Sequence, residues 1–271
     1  MGPMASESKR RIRPPTVAGL FYPDDPAVLR RDVAAYLAEG RRTERSSAPR
    51  ALIAPHAGYI YSGPVAASAL ACWASRQPDK PCVVLLGPSH RVWFQGLALP
   101  AADAFRTPLG DVPVDAARLD TIGALPGVQV SADAHRQEHS LEVHLPFLQV
   151  LFGELSLLPL VVGEADPAQV ATVLEALWDD DGTLFLISSD LSHYHPYAEA
   201  VQLDRDTSAR IQRLDWQHID GERACGCRAI NGLLKFAESR GLRLTTLDLR
   251  NSCDTAGDLS AVVGYGAFAL T

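Results

Sequence analysis

Short apolar runs alternate with amphipathic stretches along most of this chain. Positions 51–54, 82–86, 155–162 and 184–187 are mostly apolar and dominated by Leu, Ile, Val and Ala. Runs of that length without polar alternation predict strands covered on both faces. Residues 25–40 place Val28, Leu29, Val33, Tyr36 and Leu37 on one helical face, and Gly40 fits the stop. The Ala-rich stretch 65–74 predicts a buried helix. At 167–178, Asp166 supplies an N-cap, Pro167 takes the first helical position, and Val170, Val173, Leu174 and Leu177 form the buried stripe. A helix over 224–240 with Gly241 behind it, then strands over 242–249 and 262–270, complete the pattern. Strands separated by helices predict an α/β fold: one three-layer α/β/α domain over 12–271 with a central, mostly parallel sheet. Residues 1–11 read as a disordered or vector-derived terminus.

Three of the apolar runs end in polar loops that carry His56, His90, and Asp190 with His193. In open α/β sheets, ligands sit outside the carboxyl ends of the strands. Neutral imidazole is the commonest metal ligand and the usual acid or base near neutral pH. The set therefore points to a His-lined site, with spacing that matches no short zinc motif. A second cluster runs from His135 to His144 and includes Arg136, Glu138, His139 and Glu142. Helical from Ser140, it would put Glu138 and Glu142 on one face, either as a metal-binding face or as a charged helix entry. It is not H-E-x-x-H.

Composition narrows the class. The chain has 271 residues, 47% hydrophobic and 21% charged, with a net charge of −7. It is too apolar for a disordered protein and too poor in cysteine for a disulfide scaffold. The acidic balance argues against general nucleic-acid affinity, although the first 50 residues are net basic. The apolar runs are far short of the ~20 residues of a membrane span. Five cysteines cannot all pair with one another, which suits a cytoplasmic, reducing setting. Cys72 and Cys82 fall in apolar elements. Cys225 and Cys227 form an isolated C-x-C in a helical segment, where packing competes with a weak metal signal. Cys253 lies in a polar loop. No P-loop, G-x-S-x-G or post-strand G-x-G-x-x-G is present.

Taken together, Ala-Pro-His-Ala-Gly-Tyr at 54–59, Leu-Gly-Pro-Ser-His at 86–90, Glu-His-Ser-Leu-Glu-Val-His-Leu-Pro at 138–146, Ser-Ser-Asp-Leu-Ser-His at 188–193 and the Cys253 loop resemble the Memo family. Val-Ala-Gly-Leu-Phe-Tyr-Pro at 17–23 fits its start. Bacterial and archaeal members are often called AmmeMemoRadiSam system protein B. The family's fold is similar to that of class III extradiol dioxygenases. The resemblance implies His56, His90 and Cys253 as metal ligands, with Cys253 in the place of a carboxylate. It implies Asp190 and His193 as the acid/base pair. Tyr59, Glu142, His144 and Arg91 are the candidates to shape a substrate pocket.

Three functions follow from this resemblance. The first is a metal-dependent oxidoreductase, using Fe(II) or copper with O2 on a small aromatic substrate. Thiolate in place of carboxylate raises the claim of copper or zinc. The second is a non-catalytic module that binds a metal, or a peptide or phosphopeptide through Arg91 or Arg136. The third is a zinc hydrolase. A homodimer is compatible with an acidic α/β domain of this size.

Overall fold

The computed structural model of the chain describes residues 10–40, 49–75, 78, 80–255 and 259–271. Its elements are β1 (Ile12–Arg13), α1 (Pro26–Gly40), β2 (Ala51–Ala54), α2 (Tyr59–Leu70), β3 (Cys82–Pro88), β4 (Leu97–Leu99), β5 (Ala104–Thr107) and β6 (Gly110–Pro113). There follow α3 (Ala116–Gly123), β7 (Val128–Val130), α4 (Ala132–Arg136), α5 (Leu145–Phe152), β8 (Ser156–Val162), α6 (Pro167–Trp178) and β9 (Thr183–Ser188). The chain closes with β10 (His193–His195), α7 (Tyr197–Gln212), α8 (Cys227–Arg240), β11 (Leu244–Asn251), α9 (Ser252–Thr255) and β12 (Val262–Leu270).

The large sheet has the order β10-β12-β2-β9-β3-β8-β4-β7, with β11 also paired to β12. Its centre, β2-β9-β3-β8, is parallel. Antiparallel pairing begins at β12 on one side and β4 on the other. Helices on both faces make three layers, as the alternation of runs predicts.

The apolar runs lack polar alternation because both faces of the sheet are buried. Successive strand side chains point to opposite faces. Leu52, Val83, Leu85, Leu184 and Leu186 enter one core with residues of α1, α2 and α5. Ile53, Val84, Leu86, Phe185 and Ile187 enter the other with residues of α6 and α8. There the two helices pack so closely that a Cβ on Gly232 would lie 2.2 Å from the Cβ of Val170. Asp166 and Gln169 form a reciprocal capping box at the start of α6.

Several elements differ from the sequence expectation, among them short strands and helices between Leu97 and Arg136 and the start of α8 at Cys227. The buried helix over 65–74 begins earlier, at Tyr59, and ends in a 3-10 turn over Ala71–Ser75. Helix α7 is unforeseen because its buried positions include Asp204, Thr207 and Ser208, so its stripe has the helical period without the hydrophobicity. The segment from Ser140 is a 3-10 turn over Glu142–His144 leading into α5, with Glu138 before it. Glu138 and Glu142 therefore do not share a helical face. Of the terminus, residues 1–9 lie outside the described residues, while Arg11 is tied to Asp103 through backbone and side chain. Among the described residues, no helix is long and apolar enough to cross a membrane.

Candidate metal centre

The parallel strands β2, β9 and β3 lie side by side, so their carboxyl ends open onto one edge. That edge receives His56 after β2, Asp190 after β9 and His90 after β3. His139 arrives from the loop between α4 and the Glu142–His144 turn. One ligand atom from each of His56, His90 and His139 lies within 4.8 Å of the other two. The rings of His90 and His139 stack at 4.8 Å, and His56 meets both edge-on. His56 is buried, His139 half-buried and His90 exposed at the rim.

The surroundings suit neutral imidazoles. Burial, followed by the neighbouring histidines, holds the pKa of His56 well below its ordinary value. Burial also takes His139 down to about 4, against the pull of Glu138. A metal ligand must offer a lone pair, and a neutral ring does so without first losing a proton. Three nitrogen donors of suitable separation, with His56 and His139 held neutral by burial, could therefore hold a transition metal.

The ligand rings are also held from behind. Glu138 is buried, and its Oε1 lies 2.9 Å from His90 Nδ1. Its Oε2 accepts the His90 backbone N–H at 2.6 Å. A carboxylate on the far nitrogen of a ligating histidine fixes the ring's orientation and raises its basicity. His56 is anchored through its backbone N–H, which donates to Asp190 Oδ1 at 2.7 Å. Its Nδ1 lies 2.7 Å from Ser188 Oγ and its Nε2 lies 3.4 Å from Cys225 Sγ.

In front of the histidines is a cleft of about 860 Å³. Phe21, Tyr22, Tyr36, Tyr59, Tyr61 and Tyr265 give it an aromatic lining, and its polar residues include His56, His90, His139, Asp190 and His193. Asp190 is the buried acid of this group, and burial pushes its pKa up to about 7. Burial lowers that of His193.

Several expected residues stand elsewhere. Cys253 is outside the three-histidine group. Asn251 Oδ1 accepts the Cys253 and Asp254 backbone N–H groups at 3.0 and 3.3 Å, turning the chain into α9. Cys253 is half-buried there, and its neighbour Ser252 lines the cleft. Glu142 does not line the cleft, because its oxygens are already occupied. They accept Thr16 and Val17 backbone N–H groups, the Thr16 and Tyr22 hydroxyls, and Arg13. His144 is buried behind the wall, with Nε2 at 2.8 Å from Ser188 Oγ. Tyr59 does line the cleft, while its hydroxyl donates to Val143 O at 2.6 Å. Arg91 and Arg136 are not among the lining residues, and Arg136 pairs with Asp133. Cys225 precedes α8 instead of lying within it, and its thiol reaches His56.

Ser188 escapes a reading based on residue type and spacing; Glu138 and Cys225 stood out by type, but their partners His90 and His56 are distant in the chain and left no sequence signal. His139 was legible only as a member of its cluster. The signal for Ser188 and Glu138 was their place inside two of the resembling motifs.

The comparisons with known proteins agree with this architecture. A family profile described as "Memo-like protein" matches residues 13–269. A MEMO1 family protein of Sulfolobus acidocaldarius is 33% identical, over 94% of this chain and 97% of its own. One from Metallosphaera sedula is 35% identical, over 93% and 97%. One from Aquifex aeolicus is 35% identical, over 94% and 97%. The crystal structure of an uncharacterized Escherichia coli protein is similar in fold. Its TM-score is 0.52 at 16% identity, covering 81% of this chain and 98% of that one.

Proposed function

This chain belongs to the Memo family, and on that premise we propose that it is a metal-dependent oxidoreductase acting on a small aromatic substrate with O2. The observation that carries the reading is the convergence of His56, His90 and His139 at the end of an aromatic-lined cleft. Imidazole donors suit iron, copper and zinc. Iron or copper, when bound, would supply the redox chemistry that side chains lack. Cys253, the residue after the cleft-lining Ser252, is retained as a candidate ligand alongside His139.

The chain's own groups divide the remaining work. The tyrosine-rich wall takes an aromatic ring by face and edge contacts and excludes water from it. His193, neutral at physiological pH, accepts a proton from a substrate hydroxyl. Asp190, whose pKa burial raises to about 7, is a second group in the cleft able to hold or release a proton. Its bond to the His56 backbone keeps this acid beside the ligands. The phosphopeptide reading is not preferred, because Arg91 and Arg136 are not among the residues lining the cleft and Arg136 pairs with Asp133. The three-nitrogen donor set favours zinc hydrolysis as the second reading, since catalytic zinc is commonly held by three protein ligands plus water.

The deciding experiment is metal analysis of anaerobically purified protein, followed by oxygen uptake with catechols and indoles. Stoichiometric iron or copper with substrate-dependent oxygen uptake is the expected result. Stoichiometric zinc with ester or amide cleavage and no oxygen uptake would replace it with the hydrolase.

A further inference from the structure

Ser188 lies where three groups meet. Its hydroxyl donates to the Ser140 carbonyl oxygen at 2.6 Å. The same oxygen is 2.7 Å from His56 Nδ1 and 2.8 Å from His144 Nε2. All four residues are buried, so no solvent proton serves these contacts.

A hydroxyl has one proton and two lone pairs, and a carbonyl oxygen can only accept. The Ser188 proton is therefore committed to Ser140. Both imidazole nitrogens must then donate, since the opposite assignment would press two acceptors together at 2.7 or 2.8 Å in a dry interior. From this we infer that Ser188 is a positioning residue that selects the tautomer of His56: the ring is protonated on Nδ1 and keeps its Nε2 lone pair for a metal. His144 is the matching donor on the other side of the hydroxyl. The environment of Nε2 is compatible, because the group facing it is the Cys225 thiol at 3.4 Å, whose one proton has two acceptors in reach, a bare Nε2 and the Asp190 carbonyl oxygen at 3.7 Å. The same segment thus supports two ligands from behind, through Glu138 for His90 and through Ser140 and His144 for His56. This inference rests on His56 being a metal ligand.

The test uses metal-free protein labelled with 15N-histidine and long-range 1H–15N correlation, which reads the tautomer of each ring. The expected result is Nδ1–H for His56 and Nε2–H for His144. Nε2–H on His56 would overturn the proposal in the wild-type protein alone, whatever any variant does. Zn(II) titration against a competing chelator is the second readout. Ser188→Ala should mix the His56 tautomers and weaken Zn(II) binding by roughly 10- to 100-fold, the cost usual for removing a group behind a ligand. Ser188→Thr, which keeps the hydroxyl, should preserve the tautomer. A Ser188→Ala protein with the wild-type tautomer and affinity would overturn the proposal. Wild-type protein showing Nδ1–H but binding no metal would instead defeat the metal reading of the site.

Discussion

Glu138 grips His90 at two points, with one carboxylate oxygen on the backbone N–H at 2.6 Å and the other 2.9 Å from Nδ1. This double hold occupies Nδ1 and leaves Nε2 of His90 as the nitrogen available to a metal. Glu138→Ala should lower metal affinity about 10- to 100-fold by freeing the ring. Glu138→Gln should fall between that variant and the wild type. Isothermal titration with Zn(II) or Fe(II) under anaerobic conditions checks the order.

The same carboxylate predicts an acid-sensitive window. Burial opposes its ionisation, but the His90 side chain and backbone and the Ser140 N–H outweigh burial and hold its pKa down to about 2. In the unfolded chain it returns to an ordinary value of 4.5. The stabilisation is thus complete above about 4.5 and is lost as pH falls toward about 2. Glu138→Gln should flatten the fall in thermal stability across that window.

Asp190 carries the opposite sign. Burial raises its pKa from 3.8 to about 7, so the folded state keeps a proton that the unfolded chain has released. Stability of the metal-free protein should fall as pH rises between those values and level off above them. Asp190→Asn should remove that slope while keeping an acceptor for the His56 N–H. Melting temperatures from pH 4 to 8 measure it, and parallel curves for the two proteins would refute the assignment.

Arg13 and Glu142 form a buried ion pair that staples the chain start to the 135–142 segment, with Arg13 also donating to the His135 and Glu138 carbonyls. Breaking one partner of such a pair leaves a buried charge uncompensated, at a cost of about 3–5 kcal/mol. Arg13→Ala should show a loss of that order in denaturant unfolding. It should also loosen His139, which follows Glu138 directly.

The third ligand is decided by paired substitutions. His139→Ala should remove most bound metal if the three-histidine arrangement is the working site. Cys253→Ala should then retain it. The reverse pattern would restore the thiolate to the ligand set, and elemental analysis of both proteins distinguishes the two.

Much of the architecture is decided within the sequence. Short apolar runs such as 82–86, bounded by turn residues and rich in Val and Leu, favour strands buried on both faces, and the Asp166-Pro167 start of α6 is a local chemical matter. Strand ends bearing His56, His90 and Asp190 follow from that layout once the strands are parallel neighbours. Helix α7 was hidden because small polar residues fill its buried face. The supporting contacts were hidden for a different reason. Glu138 meets His90, Ser188 meets His56 and His144, and Arg13 meets Glu142 across 44 to 132 residues of chain. Hydrogen bonds between such distant groups leave no periodic trace, since they depend on two loops reaching one edge of the sheet. The sequence by itself determined the layers and three of the chemically active strand ends. Only the tertiary structure decided that His139 joins His56 and His90, and which buried donors and acceptors hold their rings.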